Sequence, residues 1–143
     1  MKEVQNEIRC RFPSFSENEG FARSMAVNFA AMASPTITQL ADIKCAVSEA
    51  VTNCIVHAYR GEVGIIEMTL RRYEGGELAI IVKDRGVGIA NVKEAREPLF
   101  TTDTTGERSG MGFAIMESMM DTLSVRSKPG VGTTVTMRIR VGT

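Results

Sequence analysis

Between Cys45 and His57 an apolar stripe and a polar stripe share one helix. Ile43, Val47, Val51 and Ile55 recur every four residues, the repeat of a helix face that packs on a core. Glu49, Asn53 and His57 recur at the same spacing on another face. A carboxylate and a carboxamide therefore stand one turn apart on an otherwise apolar helix. Burying even a neutral polar group without a partner costs about 1–3 kcal/mol. The two side chains must reach solvent in a cleft or meet a ligand. A second constraint lies downstream. An apolar run, Leu78 to Val82, leads to Asp84, and Gly86 and Gly88 follow it.

The chain has 143 residues, enough for one domain, 1–143, with a sizeable core. Lys+Arg and Asp+Glu are 17 each, and no basic block stands out. That balance argues against electrostatic binding to nucleic acid or to a membrane surface. Cys10, Cys45 and Cys54 are odd in number and lack metal-ligand spacing, so they read as small hydrophobes in a reducing compartment. Met1 to Arg11 carries no apolar run of the kind a signal peptide needs, and no later stretch has the length and apolarity of a membrane span. These features predict a cytoplasmic protein.

Taken in order, Val4, Ile8, Cys10 and Phe12 share one parity and predict a half-buried strand. Ser16 and Glu19 have capping-box spacing and predict a helix whose apolar face is Phe21, Met25, Phe29 and Met32. Pro35 bars its continuation, and Thr38 is the predicted cap of the helix bearing Glu49 and Asn53, which stops at Arg60-Gly61. A strand through Ile66, Met68 and Leu70 turns at Glu74 to Glu77 into a return strand, Leu78 to Val82. From Ile89 to Ser109 the periodicity fails, apart from a short helix near Asn91 to Arg96; a loop of this length is usually functional. Gly110-Met111-Gly112 then opens a helix with Phe113, Met116, Met119 and Met120 on its apolar side. Two strands, Leu123 to Ser127 and Val135 to Val141, flank a turn at Pro129 to Gly132. The predicted fold is a two-layer α/β sandwich, with helices on one face of a mixed, mainly antiparallel sheet.

Each motif has a chemical reading beside a plainer one. Asp84 either closes an ordinary turn or accepts a hydrogen bond from an exocyclic amine, with Gly86 and Gly88 letting backbone lie against a planar ring. Gly110 and Gly112 either form a flexible turn or place free helix N-terminal amides where a phosphate binds. Asn53 is a core amide or an oxygen ligand for Mg²⁺. Glu49 is a helix-surface carboxylate or the acceptor of a proton from an attacking hydroxyl. Arg108 is a solvated loop charge or the partner of a γ-phosphate. His57 sits where it favours a helix dipole and is assigned no catalytic role.

The order Glu49-x-x-x-Asn53, Asp84-x-Gly86-x-Gly88, Gly110-x-Gly112 and Gly132-Thr133 resembles the ATP-binding domain of the GHKL superfamily, shared by gyrase, heat-shock chaperones, histidine kinases and MutL-type repair proteins. The likeness runs from the asparagine helix to the last strand. It implies ATP and Mg²⁺ as cofactors, adenine recognition by Asp84, Mg²⁺ held by Asn53, Thr133 near the adenine, and a lid over about 89–109. Within the superfamily four strings resemble the bacterial anti-sigma F family: Asn18 to Arg23, Val47 to Asn53, Pro98 to Thr102, and Glu107 to Phe113. That resemblance implies a serine kinase that binds a sporulation sigma factor as a homodimer and phosphorylates an anti-anti-sigma factor. The residues it implies are Glu49 as catalytic base and Asn53, Asp84, Gly86, Gly88, Thr101, Arg108, Ser109, Gly110, Met111, Gly112 and Thr133 at the nucleotide. It also implies Arg23 as a partner contact. Asp103 to Gly106 departs from the Lys-Pro that the family carries in its lid. Two rival readings are an ATP-gated sigma-binding module without significant kinase activity and a general-stress anti-sigma serine kinase.

Overall fold

The alternation near the N-terminus becomes β1 (Val4–Pro13) in the structure, a computed structural model that describes residues 2–97 and 111–142. Helices α1 (Asn18–Ala31) and α2 (Ile37–Asn53) follow, and a π-helical turn, Cys54–Ala58, extends α2. Next come the hairpin β2 (Ile65–Tyr73) and β3 (Glu77–Asp84), the short α3 (Val92–Ala95), α4 (Gly112–Met119) and the hairpin β4 (Thr122–Lys128) and β5 (Gly132–Arg140). The helices pack on one face of the sheet, as the sequence predicts, and α2 lies between α1 and α4.

The sheet order is β1-β2-β3-β5-β4, and every ladder is antiparallel. The predicted mixed sheet is thus antiparallel throughout the described residues. Strands β1, β3 and β4 do run in the same direction, yet β2 and β5 are inserted between them, so no parallel pair becomes adjacent. Register aligns the apolar positions in rows across the sheet. Cys10, Met68, Val82, Val135 and Val125 form one such row, and Ile8, Leu70, Ile80, Met137 and Leu123 the next. Over these rows lie Ile43, Val47 and Val51 of α2 and Met116 of α4, all fully buried. Their burial is the driving force that fixes α2 to the sheet.

Three local readings are corrected. Ser16 does not cap α1: its N-cap is Glu17, without a side-chain cap, and backbone turns from Phe15 and Ser16 satisfy the first amides. Thr38 does not cap α2. Thr36 does, accepting from the Gln39 backbone N–H while the Gln39 side chain accepts from the Thr36 N–H. The buried face of α1 is Ala22, Ala26, Phe29 and Ala30, whereas Phe21 is 73 % exposed and Met32 54 % exposed. Alanines at successive turns let α1 and α2 approach closely, and that contact outweighs the larger residues of the expected face.

Candidate functional site

At one end of the sheet the apolar rows give way to a polar one. Asp84 pairs with Thr133, and Thr133 with Ser127, so the three side chains form a row across β3, β5 and β4 on the helix side. Asp84 is 5 % exposed and Thr133 8 %. A buried carboxylate needs donors, and the local backbone supplies them. Gly86 N donates to Asp84 Oδ1 at 2.9 Å and Thr133 N to the same oxygen at 3.2 Å. Cys54 Sγ lies 3.5 Å from Asp84 Oδ2. Burial pushes the Asp84 carboxyl above its ordinary value, and these three donors pull the other way. The Ser127 hydroxyl accepts from Ile89 N at 2.7 Å and stands 2.7 Å from Thr133 Oγ1, tying the loop after β3 to β4 and β5.

The polar stripe of α2 forms the facing wall. Asn53 and His57 line the cleft as their spacing predicts. Glu49 and Asn53 both reach the first residue of α4: a Cβ added at Gly112 would lie 3.1 Å from each amide atom of Asn53 and 3.2 Å from Glu49 Oε2. Gly112 thus leaves little room where the catalytic-base candidate, the Mg²⁺-ligand candidate and a helix N-terminus converge. The first amides of α4 have no acceptor within the helix, and its dipole favours negative charge there. Phe113 and Met111 continue this end of the helix, with Phe113 lining the cleft.

Helix α2 does not run on regularly to the predicted stop. It widens to a π turn, with Tyr59 N bonded to Cys54 O at 3.1 Å, before Arg60 and Gly61 take positive φ values of 46° and 87°. The Ala58 carbonyl is left to accept from Val87 N at 3.0 Å. This contact explains the glycine motif differently from the sequence reading. A Cβ at Gly86 would strike the Ala58 carbonyl, and one at Gly88, where φ is 75°, would strike the Lys128 carbonyl. Both glycines serve the protein's own backbone packing, and Gly88 also lines the cleft. Gly88→Ala should destabilise the fold by about 1–3 kcal/mol, since it combines backbone strain with a backbone clash. Thermal denaturation checks this, and an unchanged midpoint would contradict it.

The cleft measures about 440 Å³ and is completed by Ile89, Ala90 and Asn91, by Glu94 and Ala95 of α3, and by Pro129. Its size falls within the range of about 300–1,000 Å³ usual for small-molecule sites. The lining suits an adenine nucleotide: a buried acceptor, apolar walls for a ring, and a carboxamide beside a helix N-terminus. Among the described residues no three His, Cys, Asp or Glu side chains converge as a metal cluster. Mg²⁺ needs none, because it commonly binds one protein oxygen together with phosphates and water. Thr101, Arg108, Ser109 and Gly110, with most of the predicted lid, lie outside the described residues. Arg23 lies away from this cleft on α1, 3.6 Å from Glu19, whose Oε1 accepts from Ser48 Oγ at 2.8 Å.

Sequence reasoning missed the role of Cys54 as a donor to Asp84 and the brace formed by Tyr59. The Tyr59 hydroxyl donates to Ile65 O at 2.6 Å and accepts from Arg85 N at 2.8 Å, fixing the backbone just past Asp84. The one available signal for Cys54 was its place next to Asn53. Among the described residues no helix is long and apolar enough to cross a membrane.

Known proteins match this chain along nearly its whole length. The family model described as the histidine kinase-like ATPase domain matches residues 12–139. The chain is 50 % identical over 141 residues to an anti-sigma F factor of Caldanaerobacter subterraneus, covering 98 % of this chain and 97 % of that one. It is 48 % identical over 143 residues to an anti-sigma F factor of Clostridium perfringens, covering 98 % of this chain and all of that one. Its fold resembles the crystal structure of the RsbU and RsbW domains of Rv1364c from Mycobacterium tuberculosis, with a TM-score of 0.70 at 20 % identity, over 96 % of this chain and 33 % of that one. With a matching domain model and half of its residues shared along nearly the whole length, the chain belongs to the histidine kinase-like ATPase family and, within it, to the anti-sigma F factors.

Proposed function

We propose that this chain is an ATP-dependent anti-sigma factor that binds and inhibits a sporulation sigma factor and phosphorylates a serine on its anti-anti-sigma antagonist. The carrying observation is the convergence of Glu49 and Asn53 on Gly112, where Asn53 and Gly112 line the same cleft as the buried Asp84. Nearly full-length relatives called anti-sigma F factors support the biological role. ATP is the phosphoryl donor. Asp84 accepts from its exocyclic amine, Thr133 and Gly88 lie beside the ring, and Met111 and Gly112 lead the phosphates to the α4 amides. Thr101, Arg108, Ser109 and Gly110 enter this set from the family resemblance. Asn53 supplies an oxygen for Mg²⁺, which neutralises phosphate charge.

Glu49 orients the antagonist's serine hydroxyl and takes its proton as the serine oxygen bonds to the γ-phosphorus. The bond from that phosphorus to the β-bridging oxygen breaks, and ADP leaves. Most of the rate enhancement comes from positioning and charge neutralisation. A module that only gates sigma binding with nucleotide has no use for a carboxylate at this place, so Glu49 favours the kinase reading. The protein works in the cytoplasm as a homodimer, with the sigma factor and the anti-anti-sigma factor as partners and no direct contact with nucleic acid or membrane.

The test is capture of the sigma factor on immobilised protein. ATP should support capture, and the antagonist should release the sigma factor from the complex. Nucleotide-independent capture that the antagonist cannot reverse would contradict the proposal. Arg23 belongs to the partner surface in this reading, on a helix that also exposes Phe21. Arg23→Glu should lower sigma capture by about tenfold, the loss of one strong interfacial contact, with ATP affinity unchanged. Parent-level capture would remove Arg23 from the interface.

A further inference from the structure

Asp84 carries about four acceptor positions on its two oxygens. Two of them, on Oδ1, are taken by the N–H groups of Gly86 and Thr133. On Oδ2 the neighbour is the thiol of Cys54, which is 4 % exposed and forms no disulfide. A carboxylate oxygen only accepts, so in this pair the thiol is the donor. Cys54 stands at the junction of α2 and the π turn.

We propose that Cys54 is a specificity-determining positioning residue for the purine: its S–H holds Asp84 Oδ2 and leaves the carboxylate a single open acceptor position toward the cleft. One open position suits one donor, the exocyclic amine. Without the thiol, Oδ2 has two open positions, and water occupies whichever the purine does not use. A ring lacking the amine is then penalised less, and the ring bearing it gains less. The inference rests on the assignment of Asp84 to the exocyclic amine.

Titration calorimetry of the full chain with ATP and with purine riboside triphosphate, which lacks the amine, separates the two ideas. The parent protein should prefer ATP. Cys54→Ala should reduce that preference by about 3–10-fold, the effect of one hydrogen bond of ordinary net strength, since the S–H is a weak donor. Cys54→Ser should restore it, because serine has an O–H donor yet fills no more space than the thiol. A purely packing role predicts that alanine and serine behave alike, and that result would overturn the proposal, as would an unchanged preference in Cys54→Ala. A parent protein that binds both nucleotides equally would overturn the assignment of Asp84 together with this inference.

Discussion

Glu49→Gln should lower serine phosphorylation by about 10²–10⁴-fold, the usual contribution of a general base. The substitution keeps the length and shape of the side chain, so contact with the region of Gly112 is preserved and only the basic charge is lost. ATP binding depends on Asp84, which the substitution leaves in place, and should be retained. Sigma capture depends on other surfaces and should also survive. The variant would then hold the sigma factor while its antagonist accumulates unphosphorylated. A single-turnover assay with saturating ATP checks the chemical step. Phosphorylation at the parent rate would show that Glu49 does not take the proton.

The second large effect is expected at Asp84. In Asp84→Asn the amide oxygen can still accept from Gly86 and Thr133 N–H, so the strand end keeps its geometry. The amide nitrogen then stands in place of Oδ2 and presents a donor to the donor of the adenine. A charge-assisted acceptor is replaced by a like dipole, and ATP affinity should fall at least about tenfold, since such a bond contributes about 1.5–3 kcal/mol. Stability should move the other way. Because burial raises the folded-state carboxyl above its ordinary value, its stabilising contribution is present below the unfolded-state value and is lost as pH rises through the folded one. At neutral pH the ionised group is a burden on the fold, and the neutral amide removes it. Weaker ATP binding with an undiminished melting midpoint is the expected pair of results. Parent-like affinity for ATP would contradict the assignment.

The site was legible where its geometry is local. Helical spacing alone put Glu49, Asn53 and His57 on one face, and Asn53 and His57 do line the cleft. The pleat of β3 puts Asp84 on the same side as Val82 and Ile80, which is why it is buried, but the continuous apolar run Leu78 to Val82 did not reveal that face. What escaped was set by partners distant in the chain. The Ala58 carbonyl at the end of the π turn meets Val87, and the need for Gly86 and Gly88 depends on Ala58 and Lys128. The face of α1 was misread because alanines carry little hydrophobic signal yet permit the closest helix approach. The cap of α2 was misplaced by two residues, although Thr36 and Gln39 have the same capping-box spacing that was sought at Ser16. The antiparallel sheet could not follow from element order alone, since β5 enters between β3 and β4 only in three dimensions.

The central claim is that one cleft binds ATP and passes its γ-phosphate to a partner's serine. The most direct measurement is incubation of the parent protein with γ-labelled ATP and a candidate anti-anti-sigma protein, followed by mapping of the labelled residue. The account predicts label on a serine of the antagonist, formed together with an equal amount of ADP and nearly abolished by Glu49→Gln. Tight ATP binding with no label on the antagonist would contradict it and leave the cleft as a nucleotide gate.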